Sequence, residues 1–375
     1  MIRKFSAVVI CVILCFSTFN HCAFAYSAQC YVLYDPESGR VLDGRNAKMH
    51  HSMASTTKIM TALLLCEDGN LHKIVTVNAK AVRVEGTSVG LKDGDKITRE
   101  ALLYGLLLES GNDAANAIAY ELGGNIKNFA KMMNDRAKLI GMTGTHFVTP
   151  SGLDDKAHYT TAYDMALLAA AAMNNDSFRA ACSSKTYRAV YNGENSTRTY
   201  SNHNRLLYSL EGAEGIKTGF TKKSGRCLVS SCKRFGKRLI AVTLNAGDDW
   251  NDHKALYDYG FSQYEKVVLD SKFDFKPLCV AGGKESCVKL SAKPVEIMLH
   301  KDEISRAEYI IEQPRFVYAP LLCSECVGYV RWYVNGREVA KSEIMTENAV
   351  AKQDINEPNV GEIILNWIKI MISFS

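Results

Sequence analysis

Ala54-Ser55-Thr56-Thr57-Lys58-Ile59-Met60-Thr61-Ala62 opens a run to Glu67 whose apolar residues recur at helical spacing, with a serine and a lysine three residues apart at its front. Residues three apart share one face of a helix, so the Ser55 hydroxyl and the Lys58 amine are read as neighbours one turn apart. Ser-x-x-Lys occurs twice more, as Ser230 with Lys233 and Ser286 with Lys289. Both of those lie in strand-like runs, where residues three apart leave opposite faces. Only Ser55 is therefore presented to its lysine. A hydroxyl is a weak nucleophile until a base takes its proton, and an ammonium becomes that base when burial and a second cation lower its pKa. Unpaired N–H groups at the helix start, that of Ser55 included, favour the negative charge of a tetrahedral intermediate.

Working outward, helical periodicity recurs in Arg99 to Leu108, Ala114 to Leu122, Ile126 to Ile140 and Ala162 to Met173. Gln29 to Arg45 reads as a hairpin, Arg226 to Cys232 and Arg238 to Asn245 as a strand pair around Phe235-Gly236, and Asp249 to Tyr259 as a closing helix. Strands first and last with helices between predict an α/β (α+β) domain over residues 26–270, a mixed sheet covered by helices. Ser110-Gly111-Asn112 falls between two of the helices, and Lys217-Thr218-Gly219 is placed ahead of a strand. Five of the seven prolines lie beyond Asp274, where helical periodicity stops and short strand-like runs such as Val295 to Leu299 and Gly328 to Val334 predict a small all-β domain over 275–350. Residues 360–375 predict an amphipathic helix: Ile363, Ile364, Leu365, Trp367, Ile368, Ile370, Met371, Ile372 and Phe374 form a broad apolar face, and Glu362, Asn366, Lys369 and Ser373 a narrow polar stripe. The run is shorter than the roughly 20 residues of a spanning helix, so it is expected to lie in the membrane surface; packing against the β domain is the alternative.

The three motifs resemble those of the serine D-alanyl-D-alanine carboxypeptidases, the low-molecular-mass penicillin-binding proteins. The resemblance is carried by Ala54 to Ala62 as quoted, by Leu107-Leu108-Glu109-Ser110-Gly111-Asn112-Asp113-Ala114-Ala115 and by Gly215-Ile216-Lys217-Thr218-Gly219-Phe220-Thr221. Phe147, Pro150, Gly152-Leu153, His158 and Asp164-Met165-Ala166 resemble the intervening family segment. The resemblance implies a transpeptidase/β-lactamase-like fold. It implies that Ser55 is acylated at the penultimate D-alanine of peptidoglycan stem peptides, that Lys58 is the general base and that Ser110 relays a proton to the leaving D-alanine. Asn112 would hold the substrate amide, Lys217, Thr218 and Gly219 the terminal carboxylate end, and the N–H groups of Ser55 and Phe220 the oxyanion. β-Lactams are the implied inhibitors, and no cofactor or metal is called for. The sequence offers no clear arginine for the terminal carboxylate.

Arg3 and Lys4 precede the apolar run Phe5 to Phe19, and Ala23-Phe24-Ala25 has the spacing of a signal-peptidase site, so residues 1–25 are read as a signal peptide and the enzyme as exported to the outer face of the cytoplasmic membrane. A length of 375 residues suits two domains, 47% apolar and 23% charged residues argue for folded globular structure, and a net charge of +5 without a Lys/Arg block argues against a nucleic-acid partner. Removing Cys11, Cys15 and Cys22 leaves nine cysteines, an odd number that excludes a complete disulfide framework. Cys323 and Cys326 form a CxxC that fits a disulfide or half a zinc site, with packed free thiols as the alternative.

Gly86-Thr87-Ser88-Val89-Gly90 matches a nucleophile elbow, yet turn residues Lys92-Asp93-Gly94-Asp95 follow where that elbow needs a helix. His158 reads as structural. A β-lactamase is the enzymatic rival, but Glu121, Glu194, Glu211 and Glu214 lack the context expected of its deacylating glutamate. A catalytically silent wall-binding module is the non-enzymatic rival, opposed by the intact Ser55, Lys58 and Lys217.

Overall fold

The computed structural model describes residues 26–193, 196–269, 273, 275–353, 361, 364–365 and 368–369. The expected signal peptide lies outside them, as does most of the expected C-terminal helix. Of the latter, Gly361, Ile364, Leu365, Ile368 and Lys369 are described, and they are helical and exposed. The chain forms two compact units divided between Tyr264 and Glu265.

The strands of the first unit are β1 (Cys30–Asp35), β2 (Arg40–Arg45), β3 (Ile74–Thr76), β4 (Lys96–Thr98), β5 (Thr186–Tyr191), β6 (Ser196–Ser201), β7 (Ala213–Thr221), β8 (Gly225–Arg234) and β9 (Lys237–Ala246). Its helices are α1 (Lys58–Asp68), α2 (Arg99–Leu107), α3 (Asn112–Gly123), α4 (Ile126–Ile140), α5 (Ala162–Met173), α6 (Asp176–Ser183), the single turn α7 (Leu206–Ser209) and α8 (Asp249–Gln263). The main sheet runs β2-β1-β9-β8-β7. Each of its pairings is antiparallel, so the parallel component of a mixed sheet is not found here; a parallel pairing occurs in the second unit.

Alternation along the strands sorts the two faces. Cys30, Val32 and Tyr34 of β1, with Cys227 and Val229 of β8 and Ile240, Val242 and Leu244 of β9, join the core formed with α1 to α6. The intervening Ser230 and Thr243 turn to α8, where they meet His253 and Tyr257. Helix α5 is buried along almost its whole length, and Thr161 caps it by accepting a 3.0 Å bond from the Asp164 N–H, a cap that contributes about 1 kcal/mol. Strands β3 and β4 were not legible in the sequence, because three-residue strands carry too few alternations to register; the longer β5, β6 and α6 complete this region. Lys217-Thr218-Gly219, expected ahead of a strand, lies inside β7.

The second unit contains β10 (Tyr264–Leu269), β11 (Leu278–Ala281), β12 (Cys287–Val288), β13 (Leu290–Ala292), β14 (Val295–His300), the one-turn α9 (Lys301–Ile304), β15 (Glu308–Glu312), β16 (Phe316–Tyr318), β17 (Cys326–Val334) and β18 (Arg337–Thr346). Its sheets run β13-β18-β17-β15, β12-β11-β16 and β10-β14. Val330, Trp332 and Val334 alternate into a core with Leu278, Val280, Ile297, Leu299 and Ile344. Cys279, Cys287, Cys323 and Cys326 are exposed free thiols rather than packed ones, since they occupy the outward positions of these strands and a turn; the packed thiols are Cys30, Cys66, Cys182, Cys227 and Cys232. Among the described residues no group of three or more His, Cys, Asp and Glu side chains is placed to hold a metal ion.

Candidate active site

Ser55 sits in a 3-10 turn, Ala54–Thr57, that feeds directly into α1. Two carbonyl-anchored hydroxyls shape the turn: Thr56 Oγ1 donates to Met53 O at 2.5 Å, and Thr57 Oγ1 to Ala54 O at 2.8 Å. Gly152 packs against the same turn. A Cβ there would fall 1.8 Å from Ala54 O, and its φ of +86° also disfavours any side chain. Gly219 of β7 approaches from the opposite side, where a Cβ would stand 3.0 Å from Ser55 N and 3.1 Å from Thr56 N. Glycine at these two positions lets the loop after Pro150 and strand β7 close on the nucleophile.

Lys58 is fully buried, and its Nζ lies 2.9 Å from Ser55 Oγ, 2.8 Å from Asn112 Oδ1 and 2.8 Å from Ser151 O. The last two atoms only accept hydrogen bonds. A neutral amine has two N–H groups, which these two acceptors claim, so its lone pair is left for the Ser55 proton. Burial drives the Lys58 pKa well below the ordinary lysine value, and the Lys217 ammonium lowers it further, against a smaller opposing pull from Asp113. Burial likewise lowers Lys217 to about 7. The structure thus holds an amine whose deprotonated form is favoured and already aimed at the hydroxyl.

Ser110 enters the site from the turn between α2 and α3, held at φ +61°, a left-handed conformation that costs a serine about 1 kcal/mol or more. The turn is tied down by buried Asp113, which accepts from the N–H groups of Val89 and Leu91 at 2.9 Å each and from Ser88 Oγ at 2.6 Å. Ser88, the elbow candidate, is thereby a structural tie: its hydroxyl donates to the same carboxylate that holds the turn and accepts from the Gly90 N–H at 2.9 Å. Asn112 was expected to hold substrate; in the free enzyme its Oδ1 accepts from Lys58 and its Nδ2 donates to Glu85 O at 2.6 Å, which leaves one Nδ2 proton for an incoming carbonyl.

His158 is structural, as its partners show. Nδ1 accepts from the Val148 N–H at 2.9 Å, so the ring proton sits on Nε2 and donates to Thr57 Oγ1 at 2.8 Å. Burial lowers its pKa to about 4, which keeps it neutral and locks the 148–152 loop to the nucleophile's turn.

Ser55, Ser110, Thr218, Gly219 and Phe220 line one cavity of about 370 Å³ together with Thr87, His203, Arg205, Arg226, Asp249 and Trp250. The last five were missed in the sequence. Arg226 donates to Asp249 Oδ1 at 2.6 and 2.9 Å and stacks over Trp250, and His203 pairs with Glu109 at 3.4 Å. Arg205 carries an exposed guanidinium with no ion-pair partner among the described residues. It is aimed by buried Asn202 and Asn204, whose side chains accept from the N–H groups of Asn204 and Leu206. That Asn-x-Asn pattern is an Asx-turn signal, the one clue in the sequence to this wall.

Comparison with known proteins gives the arrangement its relatives. A family profile described as D-alanyl-D-alanine carboxypeptidase matches residues 18–248. D-alanyl-D-alanine carboxypeptidase DacF of Bacillus subtilis is 31% identical over 346 residues, spanning 89% of this chain and 87% of its own. DacC of Escherichia coli is 32% identical over 85% of this chain and 83% of its own. Among solved structures, penicillin-binding protein 5 of Haemophilus influenzae superposes with a TM-score of 0.76 at 28% identity, covering 87% of this chain and 98% of that one. The Streptomyces K15 DD-transpeptidase, at 33% identity and TM-score 0.61, covers 64% of this chain and 98% of its own. A buried lysine aimed at a half-buried serine that lines a cavity, three motifs converging on that cavity and similarity along most of its length place this chain in the D-alanyl-D-alanine carboxypeptidase family of penicillin-binding serine enzymes.

Proposed function

We propose that the chain hydrolyses the terminal D-Ala-D-Ala bond of peptidoglycan stem peptides through an acyl-enzyme on Ser55. The observation that carries this reading is the Lys58 amine 2.9 Å from Ser55 Oγ with its other partners both pure acceptors. Lys58 takes the Ser55 proton as Oγ attacks the penultimate carbonyl. The oxyanion is met by the Ser55 and Phe220 N–H groups at the wall where Gly219 lets β7 approach. Ser110, in the same cavity, passes a proton to the departing D-alanine amine, and water releases the acyl group.

Arg205 and Lys217 supply the charge for the terminal carboxylate. Of the two cavity arginines, Arg226 is already neutralised by Asp249, which leaves Arg205 to form the charge-assisted bond. The same pocket takes β-lactams, whose carboxylate and acyl carbonyl present similar charges. No glutamate lines the cavity among the described residues, and Glu121 and Glu214 are engaged by Arg99 and Arg238. This supports slow release of a penicilloyl group over β-lactamase turnover.

The enzyme works on the outer face of the cytoplasmic membrane, exported by residues 1–25 and held peripherally by the amphipathic segment 361–375. The apolar face of that segment, with Ile364, Leu365 and Ile368 exposed, supports this placement, and no helix among the described residues is long and apolar enough to cross a membrane. A chain ending at Asn359 is expected to leave the membrane fraction and keep its activity on a small peptide. Incubating the mature protein with a labelled penicillin and a D-Ala-D-Ala peptide tests the activity: a Ser55 adduct and free D-alanine are expected, and an adduct at another serine overturns the assignment.

A further inference from the structure

The exposed thiols of the second unit differ in how they are placed. Cys279 on β11 and Cys287 on β12 are direct cross-strand partners. The next pair along the ladder is Val280 with Ser286, joined by a 2.9 Å bond from the Val280 N–H to Ser286 O. Antiparallel pairs alternate between hydrogen-bonded and non-hydrogen-bonded types, so Cys279 and Cys287 form a non-hydrogen-bonded pair. Such pairs stand about 4.5 Å apart at Cα with their side chains close, inside the window of roughly 4.4 to 6.8 Å that a disulfide spans. Leu278, Val280 and Val288 take the buried face of these strands, which puts both thiols together on the solvent face.

Cys323 and Cys326 are arranged otherwise. Each Sγ donates to a different backbone carbonyl, Cys323 to Glu347 O at 3.4 Å and Cys326 to Gly328 O at 3.5 Å. The CxxC that catches the eye in the sequence is therefore split between two anchors, and the pair eight positions apart is the aligned one.

We propose that Cys279 and Cys287 are a thiol–disulfide exchange site that closes into a cross-strand bridge on meeting a disulfide-bearing oxidant. The Cys279 or Cys287 thiolate attacks the donor disulfide, forming a mixed disulfide and expelling one donor thiolate. The second cysteine then attacks the protein sulfur of that mixed bond and expels the other. The two protons lost by the cysteines end on the two donor thiols, so the protein is oxidised by two electrons and the donor reduced by two. The bridge pins the two-residue edge strand β12 to β11. The proposed export bears only on where the oxidant is met, since the outside of the membrane is the compartment in which disulfides persist.

The test uses the reduced full-length protein equilibrated with a glutathione redox buffer, blocked by an alkylating reagent and mapped by mass spectrometry, with D-alanine release as the control for folding. The expected product is a Cys279–Cys287 linked peptide lighter by two hydrogens, with little glutathione on either residue. Cys279→Ser should raise the Cys287–glutathione adduct by about tenfold or more, because the intramolecular resolving step is gone. Replacing Cys323 and Cys326 by Ser should leave the bridge intact. Independent alkylation or glutathionylation of Cys279 and Cys287 in the unsubstituted chain, or a bridge from either to Cys323 or Cys326, overturns the proposal.

Discussion

Two serines of the catalytic unit each meet a buried base, and they do opposite things with it. Ser55 Oγ lies 2.9 Å from Lys58 Nζ, and Ser230 Oγ lies 2.6 Å from His253 Nδ1. Burial lowers both bases, His253 to about 3. Around Ser230 every proton is spoken for. Ala241 N–H donates to Tyr257 Oη, Tyr257 donates to Ser230, Ser230 to His253, and His253 Nε2 to Thr243 Oγ1. Ser230 is wholly buried, and the network spends its polarity on holding α8 to the sheet. Ser55 instead opens on a cavity shared with Ser110, Thr218, Gly219 and Arg205. A hydroxyl paired with a neutral base is thus not sufficient for a nucleophile. Access, oxyanion donors and a cation for the substrate complete it, and only one of the two serines has them.

The comparison breaks most easily at the nucleophile. Ser55→Ala should abolish penicillin labelling and lower D-alanine release by on the order of 10⁴-fold or more, while labelling that survives would show that some other serine is used. At the base, Lys58→Arg should be nearly as damaging as Lys58→Ala, with acylation down by about 10³-fold, because guanidinium keeps its proton at any working pH. Near-normal acylation by the arginine variant would reduce Lys58 to a holder of charge. Arg205→Gln should raise KM for a free D-Ala-D-Ala peptide by about tenfold and affect a carboxyl-amidated analogue little; equal losses on both would move the carboxylate to Lys217 alone. The smallest effect on activity belongs to the core serine. Ser230→Ala should leave penicillin labelling unchanged and lower stability by about 2 kcal/mol, since it strands His253 Nδ1 and the Tyr257 hydroxyl, which chemical denaturation would read.

How much of this was readable beforehand follows from the range of each interaction. The Ser55–Lys58 pair was legible because both residues lie on one turn, and the rejection of Ser230 because its lysine leaves the other face of β8. The location of Lys217 and Thr218 within β7 escaped, since glycine weakens a strand pattern, while in the fold Gly219 serves a close approach to Ser55. The far wall of the cavity left one local trace, the Asx-turn signal of Asn202 and Asn204. Arg205, Arg226, Asp249 and Trp250 come from three separate stretches brought together by the antiparallel order of the sheet, and no local spacing links them. The packed-thiol alternative failed for Cys279, Cys287, Cys323 and Cys326 because they take outward positions, and which cysteines stand opposite each other depends on register rather than on sequence distance.

The central claim is that Lys58 is the neutral base of Ser55, and the pH dependence of Ser55 acylation tests it most directly. Penicillin is added across a pH series, and the Ser55 peptide is quantified by mass spectrometry at short times. With Lys58 held well below the ordinary lysine value of 10.5, the ascending limb should be complete far below that pH. The rate should then decline above about 7 as Lys217 in the free enzyme loses the proton that engages the inhibitor's carboxylate. An acylation rate that instead climbs tenfold per pH unit toward about 10, the behaviour of an unperturbed lysine, would contradict the account.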